Sequence, residues 1–120
     1  MNVAVIMYGK TLSGGGGAER RFARAIEYMI NHDIFRNVYI FTNKEFAESI
    51  YSITNNSIKE NMIIFEGKNV IHFNQWLLKQ LKKCDIEVVH FPLFQAVLIP
   101  TYFLINAHKY EIITTVALAF

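Results

Sequence analysis

A run of four consecutive glycines is the part of this chain with the clearest chemical meaning. The four are Gly14, Gly15, Gly16 and Gly17. They follow an apolar, strand-like stretch at residues 3–8 and precede a helix-like segment that starts near Ala18. Glycine lacks a Cβ, so its backbone N–H groups can approach a ligand closely, and a helix start adds unpaired N–H groups and partial positive charge. This order predicts an anion site, most often for phosphate; a flexible connection is the alternative.

Three arginines and one histidine are further candidates for ligand contact. Arg20, Arg21 and Arg24 lie in the first turns of the predicted helix, where the helix dipole disfavours cations. A ligand phosphate or an acidic partner would explain them, and pairing with Glu19 or Glu27 on a solvated face is the alternative. His90 ends a predicted buried strand and could touch an acceptor hydroxyl, whereas a hydrogen-bonded core histidine is the alternative.

The composition describes a chain that can build a packed core. Of its 120 residues, 52% are hydrophobic and 18% are charged, which excludes intrinsic disorder and indicates one domain or part of one. A net charge of +2 is too small to indicate nucleic acid, and no nucleic-acid partner is predicted. The single Cys84 cannot form an internal disulfide, which favours a reducing, cytoplasmic compartment. Four dispersed histidines supply no metal-ligand spacing, so no metal is predicted.

Strand-like and helix-like segments alternate along the chain, which predicts an α/β fold. The predicted strands are residues 3–8, 38–42, 62–65, 86–91 and 112–116. The predicted helices are residues 18–31, 44–54, 70–84 and 96–106. This alternation predicts a doubly wound, mostly parallel five-stranded sheet with right-handed crossovers. Ligands of such sheets bind outside the carboxyl ends of the strands, near the switch in strand order, and the glycine loop follows the first strand at this edge.

Two common phosphate-binding motifs do not fit this glycine loop. Gly9-Lys10-Thr11 is similar to the end of a P-loop, but the earlier glycine of that motif is replaced by Ala4, within the strand. The dinucleotide fingerprint would place its third glycine at Glu19 or Arg20. It also requires an acidic residue at the end of the second strand, where Thr42-Asn43-Lys44 stands.

The segment Gly16-Gly17-Ala18-Glu19-Arg20 resembles the start of the first helix in retaining GT-B glycosyltransferases of glycosyltransferase family 4. Two later segments, residues 84–91 and 111–116, are similar to the fourth and fifth strands of that family. The likeness runs in order along nearly the whole chain, and the glycine segment is its specific part.

The resemblance implies that residues 1–120 form the N-terminal, acceptor-side Rossmann-like domain of a nucleotide-sugar-dependent enzyme. Such an enzyme moves a sugar from a nucleoside diphosphate donor to a hydroxyl acceptor, for example a glycan or a lipid-linked glycan. The nucleotide sugar is a substrate, and no separate cofactor is implied. Gly16 and Gly17 would lie near the donor diphosphate.

Two departures from the family pattern accompany this resemblance. Ala117 stands where the family commonly has a histidine after the fifth strand, and the 120 residues hold no donor-binding half. We therefore expect an incomplete domain that is inactive by itself. The alternative is a non-catalytic Rossmann-like module for binding or assembly that needs a partner chain.

The most apolar segment, residues 88–105, is relevant to two properties, contact with membranes and self-association. Polar residues and prolines interrupt it, so it predicts no membrane-spanning helix, although peripheral contact with a membrane surface is compatible with it. An incomplete domain would leave this segment and a sheet edge uncovered, which favours a homo-oligomer. The predicted contact consists of Phe94, Leu98, Tyr102, Phe103 and the strand ending at Phe120.

Overall fold

Five parallel strands form one sheet in the computed structural model, which describes residues 2–9, 17–32, 37–48, 59–91, 96–107 and 111–114. The strands are β1 (Asn2–Ile6), β2 (Asn37–Asn43), β3 (Met62–Phe65), β4 (Val88–Phe91) and β5 (Glu111–Thr114). Their order across the sheet is β3-β2-β1-β4-β5, and each neighbouring pair is parallel. The predicted α/β class and parallel sheet are confirmed.

The helices are α1 (Gly17–Asn31), α2, α3 (Val70–Lys83) and α4 (Ile99–Ala107), and α2 is described over residues 44–48. Short 3-10 turns at Lys59–Asn61 and Ala96–Leu98 precede β3 and α4. Pro100 lies in the first turn of α4, where its missing N–H has no acceptor within the helix. No helix in the described part of the chain is long and apolar enough to cross a membrane.

Strand β1 lies at the centre of the sheet because all of its inner residues are apolar. Val3, Ala4, Val5 and Ile6 are each at most 2% exposed. Such a continuous apolar run is typical of a parallel strand that is covered on both faces. Strands β2 and β4 pair with β1 on its two sides, so that Val5 lies opposite Ile40 on one side and opposite His90 on the other.

Helices cover both faces of the sheet. One face packs against α1 and α2, through Val3, Val5, Val38, Ile40, Ala23, Ile26, Phe46 and Ala47. The other face packs against α3 and α4, through Ala4, Ile6, Phe41, Val89, Phe73, Leu77, Leu81, Leu98 and Ile105. The chain therefore winds outward through α1 and α2 to β3, and returns on the opposite face to β4 and β5. Right-handed crossovers require this change of face when the direction of winding reverses.

An aromatic cluster fills the space between α3 and the sheet. Phe73 is fully buried, and its ring centroid lies 4.6 Å from that of Tyr8, 5.5 Å from that of Phe65 and 5.6 Å from that of Trp76. Trp76 also packs edge-on against Phe41, with ring centroids 5.9 Å apart. Trp76 therefore packs against the core on this face of the sheet.

The predicted oligomer contact needs correction at Leu98. This residue is fully buried against the sheet, so it cannot contribute to an exposed surface. Tyr102 is half-buried and packs edge-on against Phe91, with ring centroids 4.4 Å apart. Phe103 is 73% exposed, as the prediction requires. Phe94 and Phe120 lie outside the described residues.

A buried polar contact joins α3 to α4. The side-chain amide of Asn74 donates to the carbonyl oxygen of Val70 at 2.8 Å and to that of Val97 at 3.2 Å. Its oxygen accepts a hydrogen bond from the hydroxyl of Thr101, which is fully buried. Each polar atom of this amide thus has a partner, as buried polar groups require.

Thr101→Val is expected to lower the free energy of unfolding by about 1–2 kcal/mol, since it leaves the buried Asn74 oxygen without this donor. Valine has nearly the same shape as threonine, so that packing changes little. Urea denaturation measures the change, and Thr101→Ser, which keeps the hydroxyl, is the control. A valine variant as stable as the wild type would contradict the role of this hydrogen bond.

Candidate functional site

The candidate site lies at the carboxyl edge of the sheet, between β1 and β4. The strand order reverses there, because the chain proceeds from β1 towards β3 on one side and from β4 to β5 on the other. Open α/β sheets bind their ligands outside the carboxyl ends of the strands at this switch point. Strand β1 leads into Tyr8 and Gly9 at this edge, and β4 ends there at Phe91.

Helix α1 begins at the same edge, because it connects the carboxyl end of β1 to the start of the parallel strand β2. Its first residue is Gly17, one position before the predicted start, and its last is Asn31, as predicted. The first N–H groups of a helix lack intrahelical acceptors and carry partial positive charge. Gly14, Gly15 and Gly16 lie outside the described residues. The anion-site prediction requires the first turn of a helix at the carboxyl edge of the sheet, and the first turn of α1 lies there.

Two arginines on α1 differ in their surroundings. Arg20 is in the first turn of the helix, is exposed, and forms no ion pair with a described side chain. Arg24, one turn further along, forms a salt bridge with Glu27 at 3.0 Å, which agrees with the alternative interpretation for this arginine. Arg21 follows Arg20 in the helix. Arg20 is thus a cation at the end of a helix where only an anion would be stabilised by the helix dipole.

His90 is the next-to-last residue of β4 and is half-buried. It lies opposite Val5 on β1 and opposite Ile113 on β5. Side chains alternate between the two faces of a strand. Because Val88 packs on the α1 and α2 face and Val89 on the other, His90 projects towards the α1 and α2 face. The structure therefore brings His90 to the same edge and face as the start of α1.

Gly9 and Asn43 form a contact that no sequence pattern indicates. The N–H of Gly9 donates to the side-chain oxygen of Asn43 at 3.1 Å, and the Asn43 amide donates to the carbonyl oxygen of Gly9 at 2.8 Å. Gly9 has a φ of 134°, a conformation that residues with a Cβ rarely adopt. The sequence signal was an asparagine at the end of the second predicted strand, but its partner lies 34 positions away.

The described residues of this edge combine helix N–H groups, a guanidinium and an imidazole. Groups of these kinds can bind an anion and exchange a proton with a hydroxyl. No group of three His, Cys, Asp or Glu side chains that could hold a metal occurs among residues that the structure describes. Comparisons with protein-family models, with curated proteins and with solved structures find no match. Evidence for the function therefore comes from the residues of this edge and from the strand order of the sheet.

Proposed function

We propose that the chain is the acceptor-side Rossmann-like domain of a GT-B glycosyltransferase, and that its glycine loop and the start of α1 bind the diphosphate of a nucleotide-sugar donor. One observation carries the proposal: α1 begins within the segment Gly16-Gly17-Ala18-Glu19-Arg20, at the carboxyl edge beside the switch in strand order. Helix N-termini at this position are common phosphate sites in α/β sheets.

Each site residue has a role in this proposal. The N–H groups of Gly14, Gly15, Gly16 and Gly17 bind the donor diphosphate. Arg20 and Arg21 neutralise the charge that develops on the diphosphate as it leaves the sugar, which is the usual way of stabilising such a leaving group. His90 contacts the hydroxyl of the acceptor, a glycan or a lipid-linked glycan. Most of the rate enhancement then comes from positioning donor and acceptor together.

Titration of the 120-residue chain with UDP and with inorganic pyrophosphate tests this proposal. We expect both probes to shift the amide resonance of Gly17 and to bind more weakly as the salt concentration rises, since the contact is ionic. Uridine, which lacks the diphosphate, is the control, and we expect it to leave the Gly17 resonance unchanged. Absence of binding by both diphosphates at millimolar concentration, or a shift confined to other resonances, would contradict the proposal.

The 120 residues by themselves are not expected to transfer sugar. Their single sheet corresponds to one half of a GT-B site, and alignment of donor and acceptor requires contacts from both halves. Release of UDP from nucleotide sugars in the presence of acceptors is the measurement. Measurable turnover would show that this domain holds a complete donor site.

The alternative function is a non-catalytic module that assembles with another chain, and the surface of α4 favours it. Among the described residues on and beside this helix, four large apolar side chains are exposed, namely Val97, Ile99, Phe103 and Leu104. The helix also carries no charged residue. A large exposed apolar patch is typical of an interaction surface. We propose that a second copy of the chain covers it, since two uncharged helices can approach without electrostatic repulsion.

Phe103→Lys is expected to convert this oligomer to a monomer, because it places a charge in the most exposed aromatic position of α4. Light scattering over a dilution series measures the mass. Tyr28→Lys is the matched control, since Tyr28 is 56% exposed on α1 and lies on the opposite face of the sheet. A wild-type chain that is monomeric at every concentration would contradict the self-association.

A further inference from the structure

We infer that Asn43 is a positioning residue for the glycine loop, which it orients by binding the Gly9 peptide from the end of β2. The ligand that the loop would bind is the diphosphate of the proposed function, on which this inference rests. The two hydrogen bonds, at 3.1 Å and 2.8 Å, use the donor and the acceptor of one side-chain amide. They engage the N–H and the C=O of a single residue, as a neighbouring strand would. The chain leaving β1 is therefore fixed to the carboxyl end of β2.

The side chain at position 43 must be an amide for this arrangement. An amide offers one carbonyl oxygen and one NH₂ group, whereas an aspartate would bring a second acceptor against the carbonyl oxygen of Gly9. A dinucleotide-binding domain uses the residue at this place to bind the ribose of its ligand. Here the amide binds the protein's own backbone, so Asn43 acts on a ligand through the loop.

The backbone conformation of Gly9 itself also restricts the chain where it leaves β1. Its φ of 134° lies in a region that is strained for any residue with a Cβ. Seven residues, 10–16, separate Gly9 from the first residue of α1. The contact with Asn43 therefore fixes one end of the connection that leads from β1 to α1. Pre-organisation of this kind increases affinity by lowering the ordering cost of binding.

Asn43→Ala, Gly9→Ala and the double variant test the inference, with Asn61→Ala as the matched control. Asn61 also donates its side-chain amide to the backbone, at 3.0 Å from the carbonyl oxygen of Val38. That bond lies at the amino end of β2, the opposite edge of the sheet from the site. Asn61→Ala removes one hydrogen bond to the backbone and Asn43→Ala removes two, so both are expected to lower the melting temperature, Asn43→Ala by the larger amount. Asn43 also precedes α2, so stability and affinity are measured separately.

The first measurement uses no ligand. Amide hydrogen exchange by NMR is expected to be at least about tenfold faster for the Gly9 N–H in Asn43→Ala, because a local hydrogen bond is lost. The exchange of Gly9 is expected to be unchanged in Asn61→Ala. Should Asn43→Ala fail to fold, Asn43→Asp keeps an acceptor for the Gly9 N–H and is expected to give an intermediate rate. Equal Gly9 exchange in the wild type and in the Asn43 variant would overturn the inference.

The second measurement is the affinity for inorganic pyrophosphate. We expect the dissociation constant to rise about tenfold in Asn43→Ala and to stay within about twofold of the wild type in Asn61→Ala. The dissociation constant of the double variant should exceed that of the weaker-binding single variant by no more than about twofold, because both changes free the backbone at Gly9. Fully additive losses would overturn the inference.

The two measurements separate this inference from the proposed function. A wild-type chain that does not bind pyrophosphate would contradict the diphosphate site, and the role of Asn43 would then be decided by the Gly9 exchange alone. Wild-type binding together with unchanged affinity in Asn43→Ala would overturn the positioning role and leave the diphosphate site intact.

Discussion

Phe73→Ala is expected to lower the free energy of unfolding by about 3–5 kcal/mol, as is usual when a fully buried phenylalanine is truncated in a packed core. The ring is 0% exposed and packs against the rings of Tyr8, Phe65 and Trp76. Its removal leaves a cavity bounded by other rigid rings, which limits how far the core can collapse. The same change removes the ring partner of Tyr8, the residue that precedes Gly9.

Urea denaturation measures this effect as a shift of the midpoint with an unchanged slope. Tyr28→Ala is the control, because Tyr28 is 56% exposed and stacks on His32 with ring centroids 3.9 Å apart. Its truncation is expected to lower the free energy of unfolding by less than about 1 kcal/mol. A similarly small loss for Phe73→Ala would contradict the packing between α3 and the sheet.

The central elements of the fold could be predicted because their patterns have few alternatives. A run of apolar residues without alternation indicates a strand covered on both faces, and β1 is such a strand. The bounds of β3 agree residue for residue with the prediction, at Met62–Phe65. In α1 the apolar residues Ala25, Ile26, Met29 and Ile30 recur at helical spacing and predict one inward face, on which Ile26 is buried. Ala25 is exposed, however, and Ala23 is buried against the sheet instead.

The orientation of α4 could not be predicted from apolar residues alone. Most side chains of this helix are apolar, so periodicity does not distinguish the buried Leu98 just before it from the exposed Phe103. Its inward face is marked instead by Thr101, a polar residue whose hydroxyl binds Asn74 on α3. A pattern that counts threonine as polar would place this position outside. The polar contact that decides the orientation is recognisable only when both helices are in place.

The candidate site was predictable where a general rule of parallel sheets applies. Gly17, Arg20 and His90 lie at one edge because α1 begins, and β4 ends, at the carboxyl ends of parallel strands. The contact of Asn43 with Gly9 depends instead on the adjacent positions of β1 and β2 and on the backbone conformation of one glycine. Neither property is visible in a local sequence pattern.

Arg20→Glu is expected to raise the dissociation constant for pyrophosphate by roughly 30- to 100-fold, the size of a lost charge-assisted hydrogen bond. Arg20 is exposed in the first turn of α1, and the reversal places a negative charge beside the proposed anion site. A glutamate in the first turn of a helix is itself stabilising. The melting temperature should therefore stay equal or rise while the affinity falls, so that unfolding cannot explain the loss.

Arg24→Glu is the matched control for Arg20→Glu. It makes the same change of net charge one turn further along α1 and replaces the salt bridge with Glu27 by repulsion. The stability of Arg24→Glu should fall slightly, while its affinity for pyrophosphate should change by less than about fivefold at physiological salt, because Arg24 is paired with Glu27 and lies further from the start of α1. Titration calorimetry at two salt concentrations measures both variants. Equal losses of affinity would indicate that only the net charge of the helix matters, and would remove Arg20 from the site.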